Sequence, residues 1–162
     1  MSLPQQTQQP PLASGTLRAH AIRLLPGDDL VPALESAAFQ CMEGSCSQSC
    51  FVMTAVGSLS QVTLRMANAT TNITEANPIQ TWNECLEVVS LVGTFSKRAV
   101  GKHLHMSVSN ARGETFGGHV MAGKIWTTLE LVLGTVDGVV FDRQVDERTG
   151  FLELVVTQEQ EP

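Results

Sequence analysis

The sequence is short of positive charge. Ten Lys and Arg stand against sixteen Asp and Glu in 162 residues, a formal net charge of −6. A net-acidic surface repels phosphate at long range, and no cluster of Lys and Arg supplies a local exception, so bulk nucleic-acid binding is disfavoured. Long apolar runs are missing too. No segment reaches the roughly 20 apolar residues that cross a bilayer. The Gln- and Pro-rich stretch from Met1 to Pro11 has neither the basic nor the apolar region of a secretory signal. The expected location is therefore intracellular, cytoplasmic rather than nuclear, with no membrane partner. The four cysteines, Cys41, Cys46, Cys50 and Cys85, contain no Cys-x-x-Cys pair, and in a reducing compartment they are expected as free thiols that behave as small apolar side chains. There is no Gly-x-Ser-x-Gly elbow, and no Cys stands near a His in sequence. One stretch, Gly118 to Lys124, imitates a phosphate-binding loop, but Ile125 follows where Ser or Thr should hold magnesium. The residues after it read as strand, so no helix N-terminus cradles a phosphate.

What is present is enough to build one core. Hydrophobic residues are 43% and charged residues 16%, a composition that suits a single folded domain of this length. Residues 1–14 and 158–162 are expected as disordered tails around one domain at 15–157. Leu17 to Leu24 reads as a first strand. Pro26-Gly27-Asp28-Asp29 turns the chain into a helix, with Asp28 or Asp29 as cap and Pro32 in the first turn. Leu30, Ala33, Leu34, Ala37 and Ala38 form its apolar face. After Gly44 the chain reads almost entirely as strands. Ser49 to Val56 and Gln61 to Met66 suggest a hairpin about Gly57-Ser58. A polar loop from Asn68 to Asn83 comes next. Strands then follow at Glu84 to Phe95, Lys102 to Ser109, Glu114 to Met121 and Ile125 to Leu133, and a last hairpin pairs Val139 to Val145 with Phe151 to Val156. The expected fold class is α+β, a mainly antiparallel β-sheet with one packed α-helix near the N-terminus. The uncovered face is solvated or meets another subunit.

Three of the four histidines, His103, His105 and His119, lie close in sequence. His103 and His105 are two apart in a strand, so both imidazoles share a face. A three-residue loop from Ala111 to Gly113, with Gly113 in the left-handed conformation, pairs Asn110 with Glu114 and sets His105 directly opposite His119. The three rings then make a triangle, with cross-strand Cβ atoms about 5 Å apart. Three neutral imidazoles with an open fourth position are a known zinc geometry. A two-residue loop would instead turn His119 to the other face, and hydrogen bonding at an interface or pocket rim accounts equally well for histidines at this spacing. Gly117-Gly118 in the same strand points either to a pocket beside His119 or to a bulge.

At Gly101-Lys102-His103-Leu104-His105-Met106-Ser107, followed by Gly117-Gly118-His119, the chain resembles the PPC (plant and prokaryote conserved) domain family, also called DUF296. Arg23 to Leu30, Val56 to Arg65 and Leu86 to Ser96 resemble further stretches of that family in the same order, so the likeness runs over about residues 17 to 157. The resemblance implies a homotrimer. It also implies a bound divalent metal, zinc, with His103, His105 and His119 as ligands. Plant members carry AT-hooks and bind transcription factors. This chain has no Arg-Gly-Arg, and at Glu84-Cys85-Leu86-Glu87-Val88-Val89 it departs in two positions from the plant partner-binding segment.

The expected function is thus a homotrimeric, stand-alone binding or scaffold module with room for a three-histidine metal site, taking a small ligand or a protein partner, with catalysis left open as the weaker expectation. The alternative is a zinc-dependent hydrolase or lyase using metal-bound water, since the fourth position is open. A DNA-binding regulator comes third, weakened by the acidic charge.

Overall fold

Strand and helix periodicities sort the apolar residues onto one shared core. The computed structural model describes residues 12–45, 47–68, 76–96 and 101–159. In chain order the elements are β1 (Leu17–Leu24), α1 (Leu30–Ser45), β2 (Ser49–Arg65), β3 (Ile79–Trp82), β4 (Leu86–Ser96), β5 (Gly101–Ser109), β6 (Thr115–Val136), β7 (Val139–Val145) and β8 (Leu152–Gln158). The fold is α+β and mostly antiparallel, as its sequence suggests. Helix α1 begins where the Asp29 carbonyl accepts the Ala33 N–H at 3.1 Å. The Asp29 carboxylate is turned to Lys124 at 3.2 Å and the Asp28 carboxylate accepts the Leu25 N–H at 2.8 Å. These two acids therefore tie the entry turn to the sheet and to itself. The helix buries Leu30, Val31, Leu34, Ala38, Cys41 and Met42, with Ala33 and Ala37 packed at the edge. Each large aliphatic side chain so buried contributes about 1.5–3 kcal/mol.

Strands β2, β4, β5 and β6 pair in a closed circuit, each antiparallel to the next. The circuit closes because β6 is long and shared. Its first residues, Thr115 to His119, pair with β5, and His119 to Thr135 pair with β2. Strand β1 adds to the far half of β6, and β3 lies against the end of β2. Closure leaves the core on the inside of the circuit, beneath α1. Leu59, Val62, Leu64, Leu104, Met106, Leu129 and Leu133 all belong to it. Hairpin β7–β8 forms a separate two-stranded sheet. It is joined to the rest by a parallel bridge between Gln48 and Val140, the Phe141 N–H donating to the Gln48 carbonyl at 3.1 Å, and it buries Val139 and Val140.

Three details depart from the sequence-based expectation. Ser49 to Arg65 is one strand, not a hairpin about Gly57-Ser58. A Cβ at Gly57 would collide with the Thr128 carbonyl oxygen, so this glycine lets β6 approach and marks a register shift between Gly57 and Leu59. Thr115 to Val136 is likewise unbroken. The break expected between Met121 and Ile125 is not there, and within it Gly123 packs beneath Leu30, whose Cδ2 would lie 3.0 Å from a Cβ at that position. Within the stretch expected as a loop, Ile79–Trp82 forms β3, and Trp82 stacks on Phe116 with ring centroids 4.2 Å apart. Much of that loop, at 69–75, and most of the expected tails, at 1–11 and 160–162, fall outside the described residues. Cys41, Cys50 and Cys85 are free. The first two are core side chains, and burial pushes the Cys50 thiol up to about 12, while Cys85 is exposed. No helix among the described residues is long and apolar enough to cross a membrane.

Candidate metal centre

The β5–β6 connection sets the register that gathers the histidines. Gly113 has φ +76°, its N–H donates to the Asn110 carbonyl at 2.9 Å, and the Asn110 N–H donates to the Glu114 carbonyl at 3.1 Å. The Asn110 side-chain oxygen accepts the N–H groups of Arg112 and Glu114 at 3.0 and 3.1 Å. This is the left-handed glycine and the asparagine turn that a three-residue loop requires. From it, pairing runs back without a shift to His105 opposite His119. On β5, Leu104 and Met106 point inward, so His103 and His105 stand on the outer face. Lys102 points the other way and donates to Glu35 of α1 at 2.5 Å. Gly117 and Gly118 are not a bulge in the β5–β6 ladder. A Cβ on Gly117 would meet the Met106 carbonyl at 2.6 Å, and one on Gly118 the Arg65 carbonyl at 2.7 Å. Both neighbours thus approach β6 closely just before His119.

The three rings form a triangle with centroids 4.9, 5.2 and 5.4 Å apart. One nitrogen from each lies within 4.8 Å of the others, and His103 Nε2 is 3.0 Å from His105 Nε2. For tetrahedral ligation at about 2.0–2.1 Å, ligand nitrogens stand roughly 3.4 Å apart, a spacing that small ring rotations reach from here. His119 Nδ1 is buried with no hydrogen-bond partner among the described residues. An orphaned ring nitrogen costs energy unless something accepts or supplies a bond there. Burial holds the His119 imidazole well down, to about 4, with the Arg65 charge adding to the effect. Burial likewise lowers His103, as do His105 and Arg143, against a weaker opposing pull from Glu153. Neutral imidazoles are the metal-binding form, so the donor set fits a divalent cation of the zinc type. His20, by contrast, is remote on β1 and bonded to Thr135 Oγ1 at 3.0 Å.

Sequence reasoning missed the groups around the triangle. Arg65 is the β2 partner of His119, so one row across three strands reads Arg65, His119, His105. Thr94 is the β4 partner of His103, and it accepts a 2.9 Å hydrogen bond from Arg143 Nη2 of β7. A Cβ on Gly101 would meet Arg143 Cδ at 2.7 Å, so the hairpin lies directly over the start of β5. Arg65 ended a stretch singled out by resemblance and could have been placed from it. Nothing local in the sequence brings Arg143 here.

The family model for the Plants and Prokaryotes Conserved (PCC) domain matches residues 12–137. The chain belongs to this family. The PCC match ends before β7, so Arg143 and Glu153 lie beyond it. The chain is 42% identical over 154 residues to bifunctional protein GlmU of Synechococcus sp. strain JA-2-3B'a(2-13), covering 94% of this chain and 22% of that protein. It spans about a fifth of the length of the curated relatives it matches. Among solved structures, a hypothetical protein from Salmonella cholerae-suis matches with TM-score 0.79 and 32% identity, over 91% of this chain and 99% of that one. The metal-containing protein AF0104 from Archaeoglobus fulgidus matches with TM-score 0.73 and 22% identity, over 90% and 99%. At that identity the second match shows the fold alone.

Proposed function

We propose that this PCC domain is a self-associating binding module that holds one divalent metal, zinc, on His103, His105 and His119. The observation that carries the reading is the convergence of three ring nitrogens within 4.8 Å, with His119 Nδ1 buried and unpartnered among the described residues. The lowered pKa of two of the rings supports it, because it keeps them in the neutral, ligating form on the acid side of the ordinary histidine value. The metal content of the Archaeoglobus fulgidus neighbour points the same way. A bound cation would act as a Lewis acid toward a ligand at its open position.

A homotrimer is the assembly this reading assigns. Val56, Val89, Val92, Met121 and Trp126 are exposed on β2, β4 and β6, and outward apolar positions on strands are material for an interface. A module rather than a self-contained enzyme fits a domain that occupies about a fifth of its GlmU relatives. The cytoplasm is its proposed location, where Cys41, Cys50 and Cys85 stay reduced. The competing reading, a zinc-dependent hydrolase or lyase, draws on the open coordination position. Against it, Glu153, an acid whose charge acts on His103, has its carboxylate engaged by the Thr149 hydroxyl at 3.1 Å.

Native mass spectrometry of the untagged chain, before and after a chelator, tests assembly and metal together. Trimers that lose one zinc per chain are the expected result. Monomers, or trimers of unchanged mass, contradict the respective halves of the proposal. A hydrolase and lyase screen showing turnover that His119→Ala abolishes would favour the enzyme.

A further inference from the structure

The three-histidine metal site leaves charge unbalanced, and an anion site beside it rests on that metal reading. Three neutral imidazoles bring no negative charge to a divalent cation. Around them, cationic groups outnumber acids. Arg65 shares a face with His119 as its direct cross-strand partner. Arg143 is 8% exposed. Its Nη2 donates to Thr94 Oγ1 at 2.9 Å and its Nη1 to the Leu152 carbonyl at 3.3 Å, both neutral acceptors, while its Nε is buried without a partner among the described residues. None of the ion pairs among the described residues includes Arg65 or Arg143. Glu153 acts on Arg143 and His103 through space without pairing either. Lys102, the neighbouring cation, is already matched by Glu35.

A buried guanidinium without a carboxylate is costly, and structures keep one where an anion compensates it. In a chain of net charge −6, two arginines in no ion pair among the described residues, beside a neutral-imidazole cluster, mark a local positive site. Guanidinium groups match the oxygens of carboxylate and phosphate, and such charge-assisted bonds are the strong ones. We propose that Arg65 and Arg143 make the histidine face a receptor for a small oxyanion, a carboxylate or phosphate group that binds together with the metal. Arg65, half-buried and in no ion pair among the described residues, donates to the anion. Arg143, pinned between Thr94 and Leu152, supplies fixed positive charge. Hairpin β7–β8, which carries Arg143, thereby adds a charged element to the site.

The full chain loaded with cobalt(II) provides the test, since the visible spectrum of cobalt responds to a change in its ligands. Inorganic phosphate and acetate are titrated separately, with sodium chloride as the ionic-strength control. The expected result is a saturable spectral change with one or both oxyanions, and the stronger responder names the source chemistry. Arg65→Gln should keep one cobalt per chain and an unchanged starting spectrum. It should lose about tenfold in oxyanion affinity, the effect of removing a hydrogen bond to a charged group, and Arg65→Lys should recover part of it. No spectral change with either anion, an equal response to chloride, or undiminished affinity in Arg65→Gln would each overturn the proposal. Failure of cobalt to bind at all removes the metal reading itself and the oxyanion site with it.

Discussion

On β5, Leu104, Met106 and Val108 point into the core at 1%, 3% and 0% exposure, while His103 and His105 alternate with them toward the outside. The inner residues meet α1 and the other three strands of the circuit in one contiguous cluster. The outer ones meet each other and His119, and His103 lies in the field of Arg143 and Arg65, neither of which is in an ion pair among the described residues. A single strand thus carries a face that is complete and a face that is not. The complete face holds the fold together. Its incomplete counterpart, where an imidazole nitrogen and two arginines lack hydrogen-bond and ion-pair partners respectively among the described residues, is where a ligand has something to satisfy.

The contrast breaks most readily by truncating each face in turn. Leu104→Ala should destabilise the protein by about 2–5 kcal/mol, the cost of a buried leucine plus the cavity it leaves. His105→Ala in metal-free protein should change stability by no more than about 0.5 kcal/mol, as at most surface sites. In metal-loaded protein the ranking inverts for occupancy, since His105→Ala loses the metal. Urea unfolding with parallel metal analysis checks both. A metal-free His105→Ala that costs as much as Leu104→Ala would mean that the two faces are equally structural.

A smaller effect joins the faces. A Cβ on Gly93 would collide with the His103 carbonyl oxygen, and Gly93 has φ +152°. Gly93→Ala should therefore cost about 1–3 kcal/mol through overpacking and backbone strain, and it should weaken metal binding by displacing His103. Thermal unfolding and metal content measured together would show it. Unchanged metal affinity in a destabilised variant would separate the strand pairing from the site.

A further effect is in pH. His119 titrates near 4 in the folded chain against an ordinary 6.5. Above 6.5 both folded and unfolded states hold it neutral. As pH falls from 6.5 toward 4 the unfolded chain takes up a proton that the folded one refuses, so stability declines through that window and levels off below it. His103 shifts in the same direction. Urea midpoints of metal-free protein should fall across this range, and less steeply in His119→Gln. Equal slopes would show that His119 is as accessible to protons as a free histidine.

How far the sequence foretold these faces depended on the distance over which each contact is made. The register of His105 with His119 was legible because everything that sets it, from Asn110 through Gly113 to Glu114, is local. Hairpin β7–β8 and helix α1 were legible for the same reason. The long pairing of β2 with β6 was not, since it depends on Gly57 lying against Thr128, far along the chain. Nothing nearer in sequence marks Ser49 to Arg65 as one strand rather than a hairpin. Arg143 reaches Thr94 across 49 residues, and only the closed circuit reveals it as a neighbour of His103. The side chains that complete the site are those whose placement is a property of the whole fold.

The most direct test of the central claim is anomalous diffraction at the zinc edge from crystals grown with zinc. The expected map has one peak per chain, about 2.0–2.1 Å from a ring nitrogen of each of His103, His105 and His119. A map with no peak among these rings, and His103 still hydrogen-bonded to His105, would contradict it.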